Sequence, residues 1–398
     1  MELRVERDAF ADAVTWTARS LPARPPMQVL LGLLLDATGE DGLEISGFDY
    51  EVSSRVGLGA TSGLIGVGET GKVLVPGRLL SEIVRALPPS PVDLRLDGSR
   101  VVLTCGAARF TLPTLPVEDY PALPAMPETA GTLESDVFAA AVAQVAVAAG
   151  RDDTLPVLTG VRVEIEDDTL TLAATDRYRL AVRTLPWKPT VPGLSTTALV
   201  PARTLAETAK ALTSGPEVTV ALSTSGGSEG MIGFEGGSRR TTSRLLEGEF
   251  PKYRSLLPSE SSATASVSTG SFAEAVRRVA LVAARNAPVR LTFEADAGAG
   301  TLRLEAGGAD DASASEQLEC DWQGDSTTGD EPFSIAFNPG YLLDGLSAVD
   351  SDLTVLSFTG PTRPAVLTSK HDDGADSGPA GAGPRDYRYL LMPVRLSG

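Results

Sequence analysis

Histidine is almost absent from this chain: one residue, His371, in 398, and there are only two cysteines, Cys105 and Cys320. Two thiols do not make a disulfide framework in so long a chain, so a reducing cytoplasm is the natural compartment. Neither cysteine has a basic neighbour in sequence, which reads as a buried or inert thiol rather than a nucleophile. The histidine falls in HDDGADSGPAGAGPRD, a small, polar, Gly/Pro-rich stretch and a poor platform for a triad or a metal site. Carboxylate pairs such as Asp152 and Asp153 exist, but nothing marks them as acid or base. No apolar run approaches the roughly 18 residues that span a membrane. The opening MELRVERDAF is charged throughout and has no secretory apolar core. Basic residues are also scarce, 34 Lys and Arg against 52 Asp and Glu, for a net charge of −18. That excludes a protein that coats DNA by wholesale phosphate neutralisation, unless its basic groups gather on one face. What is present, 42% hydrophobic and 22% charged residues, suits a soluble globular chain of two or three domains.

One motif suggests an enzyme. GVGETGKV, residues 66–73, fits G-x-x-x-x-G-K and contains G-x-G-x-x-G. A phosphate loop needs a Ser or Thr after the lysine and a helix whose N-terminus faces the phosphates. Here Lys72 is followed by Val73 and VLVPG, a β-branched run that reads as a strand. The preferred reading is a Gly-rich turn entering a strand; a nucleotide-dependent enzyme using GVGETGK stands as the alternative.

Three segments share a helical pattern: RDAFADAVTWTARSLPAR (7–24), SDVFAAAVAQVAVAAGR (135–151) and GSFAEAVRRVALVAAR (270–285). Aligned on Phe10, Phe138 and Phe272, each has valine four residues later and a β-branched residue at seven. That spacing is one face of an α-helix, able to pack on a sheet. Hydrophobic strands follow each copy, then a proline-led helix: VPGRLLSEIVRAL, VPARTLAETAKAL and FNPGYLLDGLSAV, where proline near the N-terminus presets φ at no cost in hydrogen bonds. Copies one and two close alike, with FTLPTLPVEDYPALP and SRLLEGEFPKYRSLLP. The order repeats at about a third of the chain, which predicts three α+β domains, 1–127, 128–259 and 260–398. Each should have two helices packed on mainly antiparallel sheet.

The six helical segments together carry a small positive charge, so the acidic excess lies elsewhere. Either the helices face a polyanion, or they simply hold less acid; 135–151 and 341–349 do not support the basic reading. The residues best placed for phosphates are Arg7, Arg24, Arg85, Arg151, Arg203, Lys210, Arg277, Arg278 and Arg285.

At ATDRYRLAV (174–182), EGEFPKYRSLLP (247–258), YLLMPVRL (389–396) and SLPARPP (20–26), the chain resembles the bacterial sliding clamps, the β subunits of DNA polymerase III, over essentially its full length. The resemblance implies a DNA-clamp fold. Two head-to-tail copies would form a closed ring of six domains, with helices toward duplex DNA and sheets outward. It implies no chemistry, no cofactor and no metal. A topological link would tether the replicative polymerase and raise its effective concentration at the primer end. Partners would be double-stranded DNA without sequence preference, a second copy of the chain, the polymerase α subunit, the clamp loader and other proteins carrying the clamp-binding peptide.

Carried over by motif, one peptide pocket per chain would use Leu158, Thr175, Arg177, Tyr178, Arg179, Leu180, Pro251 and Leu256. The tail Leu390, Leu391, Met392, Pro393, Val394 and Arg395 would complete it, between the second and third domains. The dimer interface would join domain one to domain three, with Phe110, Leu281 and Val282 in apolar contact. This sequence departs from the family at Arg177–Tyr178, where smaller or different residues are common. It departs again at Ser255, where arginine can stand, at residues 371–386, which look inserted, and at Ser397–Gly398 beyond the usual terminal leucine. In the third copy, GGADDASASEQLE loses the pattern of 174–182.

Overall fold

A computed structural model describes residues 1–39, 42–213, 215–223, 230–284, 287–296, 299–307, 312–324, 327–328, 331–370 and 386–395. Candidate Arg285, His371, most of the 371–386 segment and Ser397–Gly398 lie outside them.

Six α-helices are described: α1 Arg7–Thr17, α2 Gly77–Ala86, α3 Ser135–Ala146, α4 Ala202–Ala211, α5 Thr269–Val279 and α6 Pro339–Ala348. Apart from five short 3-10 turns, the remaining regular structure described is antiparallel strand, in sheets of five, nine and thirteen strands. The chain is therefore α+β, as its repeat predicted. The helical stripe is buried in every copy: Phe10, Val14 and Thr17; Phe138, Val142 and Val145; Phe272, Val276 and Val279. Each buried phenylalanine contributes about 1.5–3 kcal/mol of transfer free energy, so three aligned rows are enough to seat a helix on its sheet.

The first helix of each copy is also tied to the end of the second by its own first residue. The Arg7 guanidinium donates to the Leu87 carbonyl at 2.9 Å, Ser135 Oγ to Gly215, and Thr269 Oγ1 to Ser351 at 2.8 Å. These bonds satisfy backbone carbonyls that a helix end or its exit loop would otherwise leave open. Arg7, read from the sequence as a phosphate contact, thus has a structural duty. In the third copy Asn338 caps α6, its Oδ1 accepting from the amides of Gly340 and Tyr341.

Chain contacts divide the molecule into two compact units. The first comprises Met1–Ala139, Pro189–Val191 and Glu207–Leu245; the second comprises Ala140–Lys188, Pro192–Ala206 and Leu246–Gly398. Neither unit is a single repeat, because sheets run through the repeat boundaries. In the first unit the strand Arg239–Arg244 of copy two pairs with Val52–Leu58 of copy one. In the second unit Asp386–Leu391 of copy three pairs with Arg179–Pro186 of copy two.

Candidate functional site

The strongest sequence motif forms a tight turn in the second unit. Thr169–Thr175 and Arg179–Pro186 pair as a hairpin, and residues 175–179 close it. Thr175 Oγ1 donates to the Arg179 carbonyl at 2.6 Å and accepts from the Arg177 amide at 3.2 Å. Asp176 Oδ1 accepts from the amides of Tyr178 and Arg179 at 3.0 and 3.1 Å. Short polar side chains thus replace backbone pairing, which is why Thr-Asp opens the turn. Arg177 takes φ of +80°, the left-handed region that favours glycine.

The turn sends Arg177 and Tyr178 outward and folds Arg179 inward. Arg179, only 4% exposed, places Nε 2.9 Å from Asp176 Oδ2 and Nη1 against the Asp344 carboxylate. Its guanidinium lies 4.4 Å from the centroid of the Tyr341 ring, and the Tyr389 hydroxyl donates to the Tyr341 carbonyl at 2.8 Å. Burial alone would lower the guanidinium's pKa. The Tyr389 oxygen and the Asp344 and Asp176 carboxylates outweigh it and push the pKa up, so the charge is permanent. Tyr178 then stacks on the Tyr341 ring, 6.2 Å between centroids and 22° between planes.

Around this core lies a cleft of about 710 Å³. Its lining includes Leu155 and Leu158, the cations Arg151 and Arg177, the acids Asp152, Asp176 and Asp344, and the rings of Tyr178 and Tyr341. Apolar walls with a few charges of both signs suit a short peptide or another extended ligand.

The other two motifs converge beside the turn. Arg179 and Leu180 sit opposite Leu391 and Leu390, and the Met392 amide donates to the Tyr178 carbonyl at 2.9 Å. Leu180 and Leu390 share one apolar cluster with Phe250 and Tyr253 of the third motif, and Leu246 and Leu257 pack on it. Glu164 anchors that motif, accepting from the Tyr253 hydroxyl at 2.7 Å and from Arg254 and Arg162 at 2.6 Å each.

Of the fourteen candidate pocket residues, Leu158, Arg177, Tyr178 and Arg179 line the cleft. Thr175, Leu180, Leu390 and Leu391 are buried in the framework beneath. Leu256, Met392, Val394 and Arg395 are exposed, and Pro251 and Pro393 half-buried, without lining this cleft. Sequence reasoning missed Asn338, Tyr341 and Asp344. The available signal was that the third proline-led helix carries Asp344 as its sole charge, unlike its two basic counterparts.

Among the basic candidates, Arg24, Arg85, Arg151, Arg203, Lys210 and Arg277 are exposed. Arg151 lines the cleft. Arg278 is exposed but engaged, with Nη2 2.6 Å from Glu316 and Nη1 3.4 Å from Glu274. Phe110 is half-buried against the first unit's core, Leu281 is 84% exposed, and Val282 is half-buried in the short turn after α5.

Nothing among the described residues assembles a catalytic centre. The expected Gly-rich turn is shorter than the motif: Gly66–Glu69 end the strand Leu64–Glu69 and Lys72, paired with Asp36 at 2.8 Å, opens the strand Lys72–Pro76, so GVGETGK offers phosphate no helix end. Burial pushes the Cys320 thiol up to about 11, and Cys105 Sγ is spent on the carbonyls of Pro88 and Ser90. No group of three metal-ligating side chains occurs among the described residues, and none of their helices is long and apolar enough to cross a membrane.

The site is thus an amphipathic cleft set on repeated α+β modules that continuous sheets weld together. The matches give the chain's kind: models of the N-terminal, central and C-terminal domains of the DNA polymerase III beta subunit cover residues 1–124, 132–252 and 254–377. The chain belongs to that family. It is 58% identical over 398 residues to the beta sliding clamp of Streptomyces coelicolor, covering all of both chains. It is 51% identical over 321 residues to that of Micrococcus luteus, covering 80% of this chain and 99% of the relative. Its fold superposes on the DNA polymerase sliding clamp of Bacillus subtilis with a TM-score of 0.85, at 25% identity and full coverage of both.

Proposed function

We propose that this protein is a non-catalytic DNA sliding clamp: a head-to-tail homodimer closed around duplex DNA that holds the replicative polymerase at the primer end. The single observation that carries the reading is full-length family membership at 58% identity to a beta sliding clamp. The strong negative charge fits a tether that must slide without sticking, with the helical segments spared the acidic excess of the rest of the chain. The three family matches support domains 1–127, 128–259 and 260–398. Arg24, Arg85, Arg151, Arg203, Lys210 and Arg277 are the residues we assign to DNA, with the cytoplasm as the place of work. We assign the clamp-binding peptides of the polymerase α subunit, the loader and other partners to the surface carried by the 175–180 turn, the 251–256 segment and the 390–395 tail. Phe110 and the Leu281–Val282 pair are assigned to the dimer interface.

The direct test is topological. Loaded on nicked circular duplex by its clamp loader, the protein should stay bound at high salt and leave when the circle is linearised. Loss at the same rate from both forms would sink the ring.

A further inference from the structure

The two internal joints between repeats are built alike. At the first, Thr241 pairs opposite Ser54; at the second, Tyr389 pairs opposite Ala181. Hairpin partners show that these are equivalent places. Phe110 is to Leu103 as Tyr389 is to Leu367, while Ser54, Ala181 and Ala314 face Gly47, Ala174 and Ala306. The register is thus the same at both joints, a larger or polar residue against a small one. The third pair of this series, Phe110 and Ala314, lies on strands that have, among the described residues, no partner on the outer side at those positions. Ala108–Pro113 ends its sheet, and Ser313–Gln323 meets the strand Ala263–Ser268 only through Asp321–Gln323. Thr241, Ser54, Tyr389 and Ala181 are buried, whereas Phe110 and Ala314 are each half-buried.

The helices repeat the relation. Six residues after the aligned phenylalanines stand Trp16, Gln144 and Arg278. At the first joint Arg239 of the next repeat crosses to lie over Trp16 while donating to the carbonyl of Ala211, the last residue of its own repeat's α4. At the second, Gln144 Nε2 donates at 2.8 Å to the carbonyl of Ala348, the last residue of α6. Ala211 and Ala348 are both buried, but Ala86, the last residue of α2, is exposed. The Gln144 residue is 8% exposed and the Arg278 side chain 55%. What two joints bury, the ends of the chain leave open.

We propose that Arg278 is a joint residue between two copies of this chain, donating to the Ala86 carbonyl of a second copy, with Phe110 of that copy opposite Ala314. This rests on the head-to-tail dimer proposed above and takes Arg278 out of the DNA-facing set. The chemistry is complementary. Glu274 and Glu316 hold the guanidinium beside the open strand edge, and its five-donor fork has N–H groups to spare. The C-terminal end of α2 presents the exposed Ala86 at the negative end of a helix dipole.

Subunit exchange and dimer dissociation are measured on the full chain by fluorescence and sedimentation. Arg278→Ala should raise the dissociation constant about tenfold or more, the scale of one charge-assisted hydrogen bond. Arg278→Gln, which copies the second internal joint, should recover most of the loss, and Arg277→Ala should change little. Under oxidation Phe110→Cys/Ala314→Cys should give covalent dimers far faster than Phe110→Cys paired with Ala312→Cys or Glu316→Cys. A wild-type dimer that is indifferent to Arg278→Ala, or that crosslinks best at Ala312 or Glu316, overturns this joint and leaves the ring standing. A wild-type monomer at micromolar concentration overturns both.

Discussion

Arg179 and Tyr341, far apart in sequence, meet with the guanidinium 4.4 Å from the ring centroid, and the same arginine is shared by Asp176 and Asp344. One buried side chain therefore connects the turn of the second copy to the last helix of the third. Removing it leaves Asp176 poorly compensated and strips the support from the stacked Tyr178–Tyr341 pair. Arg179→Ala should cost about 3–5 kcal/mol, as for breaking a buried ion pair. Arg179→Lys should recover less than half, since an ammonium cannot fork between two acids and cover a ring. Urea denaturation decides it; a loss below about 1 kcal/mol for the alanine variant would show that the network carries little stability.

Glu164 predicts an acid limb. Burial alone would raise its carboxyl, but hydrogen bonds from Arg254, Tyr253 and Arg162 outweigh that and hold it below the ordinary 4.5. Folding therefore favours the ionised form. The contribution is complete above about pH 4.5 and is lost as the pH falls through the lower folded value. Glu164→Gln should be less stable at neutral pH and show a flatter decline below pH 4.5. Parallel pH profiles for the two proteins would remove Glu164 from the account.

At Arg177 the backbone conformation, not the charge, sets the expectation. A left-handed residue other than glycine costs about 1–2 kcal/mol, while glycine gives back about 0.5–1 kcal/mol through the unfolded chain. Arg177→Gly should leave stability equal or raise it by about 0.5 kcal/mol. Arg177→Val, β-branched, should lower it by about 1 kcal/mol or more. Thermal melts of the two variants should fall on opposite sides of the wild type or with glycine at parity; valine above glycine would contradict the φ argument.

Peptide binding tests the proposed pocket. Met392 is 41% exposed and Leu180 only 1%, so their truncations act differently. Met392→Ala should weaken a pentapeptide of the polymerase-tail type about tenfold without changing stability, the effect of losing one adaptable apolar contact. Leu180→Ala should also weaken it, but at a cost of about 2–5 kcal/mol in stability through the cavity it opens. Fluorescence polarisation on a folded double variant with unchanged affinity would refute the assignment.

The enzyme reading is tested by nucleotide. Lys72 is spent on Asp36 at the start of a strand, so ATP or GTP at millimolar concentration should give no saturable heat by calorimetry. A signal abolished by Lys72→Ala would restore that alternative.

Helix identity, repeat number and buried stripes were readable from the chain because they depend on local periodicity: Phe10, Val14 and Thr17 must share a face wherever that helix packs. The four motifs likewise carried the family. The cleft was only partly readable. Tyr341 and Asp344 became site residues because pairing between distant strands and the inward fold of Arg179 placed the two copies' segments together, and no local pattern encodes such a meeting. The same holds for charge. Sequence counted Arg278 as one more basic helix residue, whereas the fold put Glu316 beside it. Composition and spacing determine which surfaces a segment can offer; the register between strands remote in the chain decides which surfaces meet, since that choice depends on packing across the whole sheet.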